Sequence, residues 1–372
     1  MSDTAPSYEV GKHPDQPPPV TAVGLLGWLR ANLFSSWLNG LMTILAILFL
    51  LWIIPPLIEW AVIKAHWTGD TRAACADRSG ACWVFIEVWF RQLMYGRYPP
   101  DQIWRIDSAY VIAVAAGALL FVPRFPWKQW VAVFLLVGFP IVAFFLFVGG
   151  SFGLPTVETP LWGGLFLTLV IGVVGIVASL PIGVVLALGR RSSMPVVKAC
   201  CIAFIEFWRG VPLITVLFMA SVMFPLFLPE GMNFDKLIRA LVGVMFFSSA
   251  YMAEVVRGGL QALPKGQYEA AQALGLNYWK MMALVILPQA LKMVIPGIVN
   301  TFIGLFKDTT LVLIIGLFDF LGMIQLAGTN PDWLGFAIEG YVFAALGFFI
   351  FCSCMSRYSQ HLEKKLATGH KR

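Results

Sequence analysis

The sequence predicts an all-α polytopic membrane protein with about eight transmembrane helices. Three observations predict it. Hydrophobic residues make up 59% of the 372-residue chain and charged residues only 12%, with mean hydropathy +0.79; soluble proteins carry about 25% charged residues. The apolar residues gather into stretches near the ~20-residue length that crosses a bilayer. The basic residues gather in loops and tails beside those stretches, which is how a membrane protein is oriented. The net charge of +6 is therefore read as orienting charge and not as a nucleic-acid footprint.

In chain order, Met1–Thr21 is polar and proline-rich (Pro17, Pro18, Pro19) and is expected to be disordered. No cleavable leader is expected. The first long apolar stretch follows Ser36, too far in and too long for a signal segment, and reads as an uncleaved anchor. Val23–Phe34 has apolar residues at helical spacing around Arg30. It reads as a surface helix within a cytoplasmic tail 1–36, or as an extension of the first crossing. The expected crossings are Trp37–Ile63, Ser108–Pro123, Gln129–Gly149, Gly163–Gly189, Val211–Leu228, Leu237–Val256, Met282–Leu305 and Leu334–Ser356.

With both termini inside, the inner segments hold Arg124, Lys128, Arg190, Arg191, Lys198, Arg257, Lys265, Lys280 and the basic tail 361–372. The short outer loops contribute only Lys236 and Lys307. The contrary region is the long loop 64–107, and long loops count less. That outer loop carries Cys75 and Cys82 around the turn-forming ADRSGA, where a disulfide is expected if the loop is periplasmic. Its stretch Trp83–Met94 is aromatic-rich and amphipathic and is expected to form a lid or interfacial helix. Cys200, Cys201, Cys352 and Cys354 lie in apolar stretches as small helix residues.

Pro155 and Pro160 mark a joint between two parts. Residues 37–150 form an N-terminal extension of three crossings. Residues 160–360 form a core of five crossings that holds most polar features.

Several chemistries are missing from the sequence. There is no G-x-x-x-x-G-K-[ST] phosphate loop, so the chain is not expected to hydrolyse ATP by that route. His13, His66, His361 and His370 lie outside the apolar stretches, and no Cys/His cluster has metal spacing. What remains is buried charge. Glu206 and Arg209, and Glu254 and Arg257, lie three apart and are expected to ion-pair on one helix face. Phe306–Leu311 (FKDTTL) places Lys307 and Asp308 at a helix end. Val312–Ala327 follows, glycine-containing and interrupted by Asp319. It reads as a broken helix lining a route, or as a capped helix end with an interfacial loop.

The stretch Tyr251–Pro288 mixes charge, glycine and helix formers. Gln267–Leu274 favours helix, Gly275 stands where a C-cap is expected, and Asn277 can N-cap the next helix. Such a loop on the inner face is built to dock. Here the chain resembles the inner-membrane permease subunits of bacterial ATP-binding cassette (ABC) importers, whose signature is EAA, three residues, Gly, nine residues, Ile, one residue, Leu-Pro. Glu269, Ala270 and Ala271 precede Gly275, Val285, Leu287 and Pro288, with Val285 in place of Ile. The likeness covers about Gly163–Glu363, including FWRGVPLI and LPQALKMVIPGIVNTFIGLFKDTTL. It is similar to the polar amino-acid branch, and Cys75–Trp83 with YPPDQIWR resembles the M-type permease of the general L-amino-acid system.

That resemblance implies an inner-membrane permease subunit for L-amino acids with a five-helix core. The loop 258–285 would seat on a cytoplasmic ABC ATPase dimer, with ATP and Mg on that partner and no cofactor on this chain. Ala270, Ala271 and Ala273 would allow close docking, and Glu269 would meet a cation. A second homologous permease subunit and a periplasmic amino-acid-binding protein would complete the machine. Lys307, Asp308 and Glu339 are candidates for the substrate path by charge alone. The competing reading is an ion-coupled secondary amino-acid transporter.

Overall fold

The computed structural model describes residues 24–122, 125–229, 231 and 234–366. Most of the tail 1–36 and the last residues of the tail 361–372 lie outside the described residues, as do His13, Arg124, His370, Lys371 and Arg372. The described residues form two compact units. One comprises 24–67 with 75–82, the other 68–74 with 83–366.

In the first unit, helix α1 (Gly24–Asn32) is followed by α2 (Trp37–Ile58). Ser36 caps α2 by accepting from the Asn39 N–H at 3.2 Å. A wider turn, Glu59–Ile63, extends it into a 27-residue apolar span in which no residue is buried. Beyond it, the His66 N–H donates to Ala81 O and the Ala81 N–H to Trp60 O, both at 2.8 Å. The Cys75–Cys82 disulfide is formed, with Cα atoms 5.8 Å apart.

In the second unit, α3 (Val84–Tyr95) buries Val84, Phe85, Ile86 and Leu93. Helices α4 (Trp104–Phe121) and α5 (Lys128–Val148) follow. Arg105 at the start of α4 is fully buried and donates to Pro155 O at 2.9 Å. The remaining helices are α6 (Gly164–Arg190), α7 (Pro195–Gly210), α8 (Leu213–Phe227), α9 (Lys236–Ala262), α10 (Lys265–Ala273), α11 (residues 278–293), α12 (Ile295–Asp308), α13 (Phe320–Gly328) and α14 (Ala337–Leu366). Helices α6 and α9 cross closely at Gly183, where a Cβ would lie 3.0 Å from the Ala253 backbone nitrogen.

Among the described residues, seven helices are long and apolar enough to cross a membrane, or eight if one bent pair counts as a span. The expected crossing Val211–Leu228 belongs to that pair. Helices α7 and α8 meet at 101°, because Pro212 lacks an N–H and holds Val211 extended (φ −110°, ψ 132°). The expected crossing Met282–Leu305 is broken at Val294 (φ −107°, ψ 11°), close before Pro296, and the long span runs Ile295–Ile315. After Asp308 the chain tightens into a 3₁₀ run, Thr309–Ile315, and turns at Gly316 with φ +75°. Asp319 then caps α13, accepting from the Gly322 N–H at 2.9 Å. The charge that interrupts this apolar stretch is thus a helix cap.

Candidate functional site

Pro264 ends α9 and opens α10, with Leu263 extended before it. The far end of α10 closes through two backbone bonds. Leu276 N–H donates to Ala271 O at 3.2 Å, and Gly275 N–H donates to Gln272 O at 2.9 Å. This is the Schellman arrangement, which needs a left-handed residue between helix and exit. Gly275 supplies it with φ +74°. Asn277 Oδ1 then accepts from the Lys280 N–H at 2.9 Å and starts α11.

Along α10, Glu269, Ala270 and Ala273 are exposed. Ala271 is not. It is 2% exposed and packs with Leu260, Leu263, Met282 and Ile286. The expectation that Ala271 serves a docking face is therefore corrected, because at helical spacing it faces α9 and α11 and anchors α10 to them. The outward apolar surface is supplied by Leu274 and Trp279, 79% and 72% exposed. Val285 and Leu287 pack at the edge of the same buried cluster, and Pro288 is exposed.

Three side chains fix this element, Arg191, Tyr268 and Gln289, and none of them stood out in the sequence as a contact. Arg191 donates from Nη1 to Leu260 O and to Tyr268 Oη, both at 3.0 Å, and its guanidinium lies 5.4 Å from the centre of the Tyr268 ring. The Tyr268 hydroxyl donates to Leu260 O at 3.0 Å. Gln289, directly after Pro288, donates to Gln267 Oε1 at 3.2 Å.

Next to Arg191 lies a network of charges. Arg257 donates to Glu254 Oε2 from Nη2 at 2.7 Å and from Nε at 3.0 Å, so the expected Glu254–Arg257 pair is formed. The expected Glu206–Arg209 pair is not. Glu206 binds Arg190 Nη1 at 2.9 Å, and Arg209 Nη1 reaches Glu254 Oε2 at 3.9 Å. Arg190 Nη1 also lies 3.0 Å from Glu254 Oε1, an ion contact off the hydrogen-bond axis. The reason is tertiary. The Glu254 carboxylate gathers cations from α6, α7 and its own helix, and Arg209 turns to it and stacks 5.6 Å over Tyr251. Glu254 is 16% exposed and Glu206 55%. The outer pair is thus a surface contact worth about 0–1 kcal/mol, and Glu254 is the centre.

Tyr251 also lines a cavity of about 280 Å³ between α9 and α12, with Phe247, Ser248, Thr301, Leu305 and Asp308 around it. Of the three charged candidates for a substrate path, only Asp308 lines this cavity. Lys307 is exposed, and Glu339 is buried at the start of α14. The cavity presents one carboxylate, three hydroxyls and apolar walls.

The family model described as "Binding-protein-dependent transport system inner membrane component" matches residues 179–368. The chain is similar to the inner membrane amino-acid ABC transporter permease protein YhdY of Escherichia coli K12, 58% identical over 96% of this chain and 97% of that protein. It is similar to the glutamate/glutamine/aspartate/asparagine transport system permease protein BztC of Rhodobacter capsulatus, 42% identical over 96% and 97%. Among solved structures, an amino acid ABC transporter with histidines covers 54% of this chain and 92% of its own, at 30% identity and TM-score 0.48.

Proposed function

We propose a transport role on one premise: this chain belongs to the amino-acid ABC transporter permeases, inner-membrane components of binding-protein-dependent transport systems that carry no ATPase domain. That membership sets aside the ion-coupled alternative. On this reading the chain lies with both termini in the cytoplasm, and loop 258–285 seats on a cytoplasmic ATPase dimer that binds ATP and Mg. It pairs with a second, homologous permease subunit and receives substrate from a periplasmic amino-acid-binding protein, as an M-type permease of the general L-amino-acid system. The division into an extension (37–150) and a permease core (160–360) belongs to the same reading.

One observation carries the coupling role. Helix α10 is an exposed element held at both ends, by the Arg191–Tyr268–Leu260 hydrogen bonds at its entry and by the Gly275 turn at its exit. Glu269, Ala270, Leu274 and Trp279 face outward from or beside it. A push on such an element is passed on, because Ala271 ties it into the buried cluster it shares with α9 and α11.

The cavity supports a substrate route. An amino acid needs an acceptor for its ammonium, which Asp308 supplies, and a donor for its carboxylate, which the Tyr251 hydroxyl supplies; the Ser248 and Thr301 hydroxyls donate instead to Val244 O at 2.7 Å and Gly297 O at 2.9 Å within their own helices. BztC carries glutamate, glutamine, aspartate and asparagine in its name, and these four L-amino acids come first for this chain. The test is uptake of radiolabelled amino acids, with competition by a panel, in cells lacking only this chain. Loss of ATP-dependent uptake of at least one competitor set, restored by the gene, is expected. Unchanged uptake across the panel counts against the reading.

A further inference from the structure

We propose that the adjacent arginines Arg190 and Arg191 form a relay between the α10 loop and the α9–α12 cavity, with Arg191 seating the loop and Arg190 setting the cavity side. The inference rests on the transport reading above and adds residues to it.

The contacts form an unbroken chain. Tyr268 on α10 accepts from Arg191 at 3.0 Å. Arg190, its neighbour at the end of α6, meets Glu254 on α9 at 3.0 Å and Glu206 on α7 at 2.9 Å. Glu254 is also reached by Arg209 at 3.9 Å, and Arg209 stacks over Tyr251. Tyr251 lies one turn before Glu254 on α9 and lines the cavity with Asp308. Two consecutive side chains at one helix end thus reach different partners, Arg190 the carboxylates of Glu206 and Glu254 and Arg191 the entry of α10. A displacement of α10 pulls on Arg191, and α6 carries Arg190 with it. Arg190 is shared by two carboxylates on two helices, so its movement changes how Glu254 is neutralised. Glu254 then holds Arg209, and through it Tyr251, more or less tightly. A relay of this kind requires the two arginines to act differently and in series.

The experiment uses the full importer, purified with its ATPase and binding protein and placed in proteoliposomes. Arg190→Gln is expected to leave ATPase co-purification within twofold of the unsubstituted protein. It should lower uptake at least fivefold and flatten the stimulation of ATP hydrolysis by loaded binding protein. Arg190→Lys should recover at least half of both, because one cation then still sits between Glu206 and Glu254. Arg191→Gln is expected to lower ATPase co-purification at least fivefold. Arg190→Gln with Glu254→Gln should be no worse than either alone, as for residues acting in series.

Equal losses of capture and uptake in both single variants would overturn the relay, as would an additive double variant. Where Arg190→Gln does not insert, Glu254→Gln is read in its place with the same criteria. Failure of the unsubstituted chain to capture any ATPase sinks the transport reading itself, a result distinct from failure of the relay.

Discussion

Gln267 on α10 and Gln289 on α11 meet at 3.2 Å, although the helix exit at Gly275 and the whole first half of α11 lie between them. Gln289 also donates to Val285 O at 2.8 Å. The Leu287–Pro288 pair therefore stands where the returning helix comes level with the start of α10. The spacing between Gly275 and Leu-Pro is the length of helix needed to close that loop on itself. The shape of the loop follows from this closure, and its response to substitution does too.

Gly275 is the residue that permits the closure. A Cβ there meets nothing within 4 Å, so the cost of a side chain is backbone strain alone. The left-handed conformation costs an L-residue about 1–2 kcal/mol, and more when the side chain is β-branched. Gly275→Val is expected to insert normally and to lower both ATPase capture and uptake. Gly275→Asn should retain most of both, since Asn tolerates this conformation. Normal uptake in a correctly inserted Gly275→Val variant would remove the coupling role from this turn.

Leu274 is the most exposed apolar side chain of the loop. Buried apolar anchors at the centre of an interface carry most of its affinity. Leu274→Asp is expected to weaken ATPase capture about tenfold, or ~1.4 kcal/mol, without lowering the thermal midpoint of the isolated chain. Capture by affinity-tagged permease at graded detergent-solubilised ATPase concentrations measures it. An unshifted binding curve would place the docking face elsewhere on the loop.

The parts legible from sequence were those fixed locally. Crossings follow from runs of apolar residues. The caps at Gly275 and Asn277 follow from backbone chemistry within one turn, and the cysteine pair follows from its turn. What depends on a neighbour helix was not legible. Glu206 and Arg209 have the right spacing to pair, but Arg190 on another helix competes for Glu206, and Glu254 attracts Arg209. Ala271 and Ala270 are the same residue type, and only the position of α9 decides which is buried. Arg191 and Tyr268 are 77 residues apart, and no local rule joins them.

The Cys75–Cys82 bridge closes a short loop, with a sequence separation of 7. Closing so short a loop removes about 2–3 kcal/mol of unfolded-chain entropy. Neither cysteine should react with a maleimide in the non-reduced, detergent-unfolded protein, and both should react after reduction. Full labelling before reduction would exclude the bridge in the cell. Cys75→Ala with Cys82→Ala should open residues 64–82 to proteolysis.

Asp77 lies inside that disulfide loop. The Ser79 hydroxyl, then the Ser79 backbone N–H, and then His66 Nε2 at 2.7 Å hold its carboxyl below the ordinary aspartate value of 3.8. A carboxyl depressed in the folded state adds stability that is fully present above its unfolded value. That stability is lost as pH falls through the lower, folded value. The part of the Asp77 contribution that comes from its two Ser79 hydrogen bonds should therefore be constant from pH 7 down to about 4 and fade below that. Hydrogen exchange of the Ser79 amide across this range reads it. Asp77→Asn should show faster exchange at pH 7 and no further acceleration from this group on acidification. A wild-type loop that loosens between pH 7 and 5 while Asp77→Asn does not would contradict this assignment.

The proposed division into extension and core predicts different costs for two truncations. Tyr98, Ile106, Ala109, Ala143 and Phe147 share one buried cluster with Trp162, Phe166 and Leu167. The Phe147 ring lies 4.7 Å from Phe166 and 5.8 Å from Trp162. Removing residues 1–150 strips those contacts, and the loss of one buried Phe side chain alone costs about 3–5 kcal/mol. Removing residues 1–82 leaves them in place. Arg191, Tyr268, Gln267 and Gln289, whose contacts shape the α10–α11 loop, lie beyond both cuts. Both truncations are therefore expected to capture the ATPase. Only the longer one should lower the thermal midpoint by several degrees in fluorescence-detected size exclusion. A correctly inserted 1–150 truncation that captures no ATPase would place part of the coupling function in the extension. An unchanged midpoint would mean that α4 and α5 lend the core no stability.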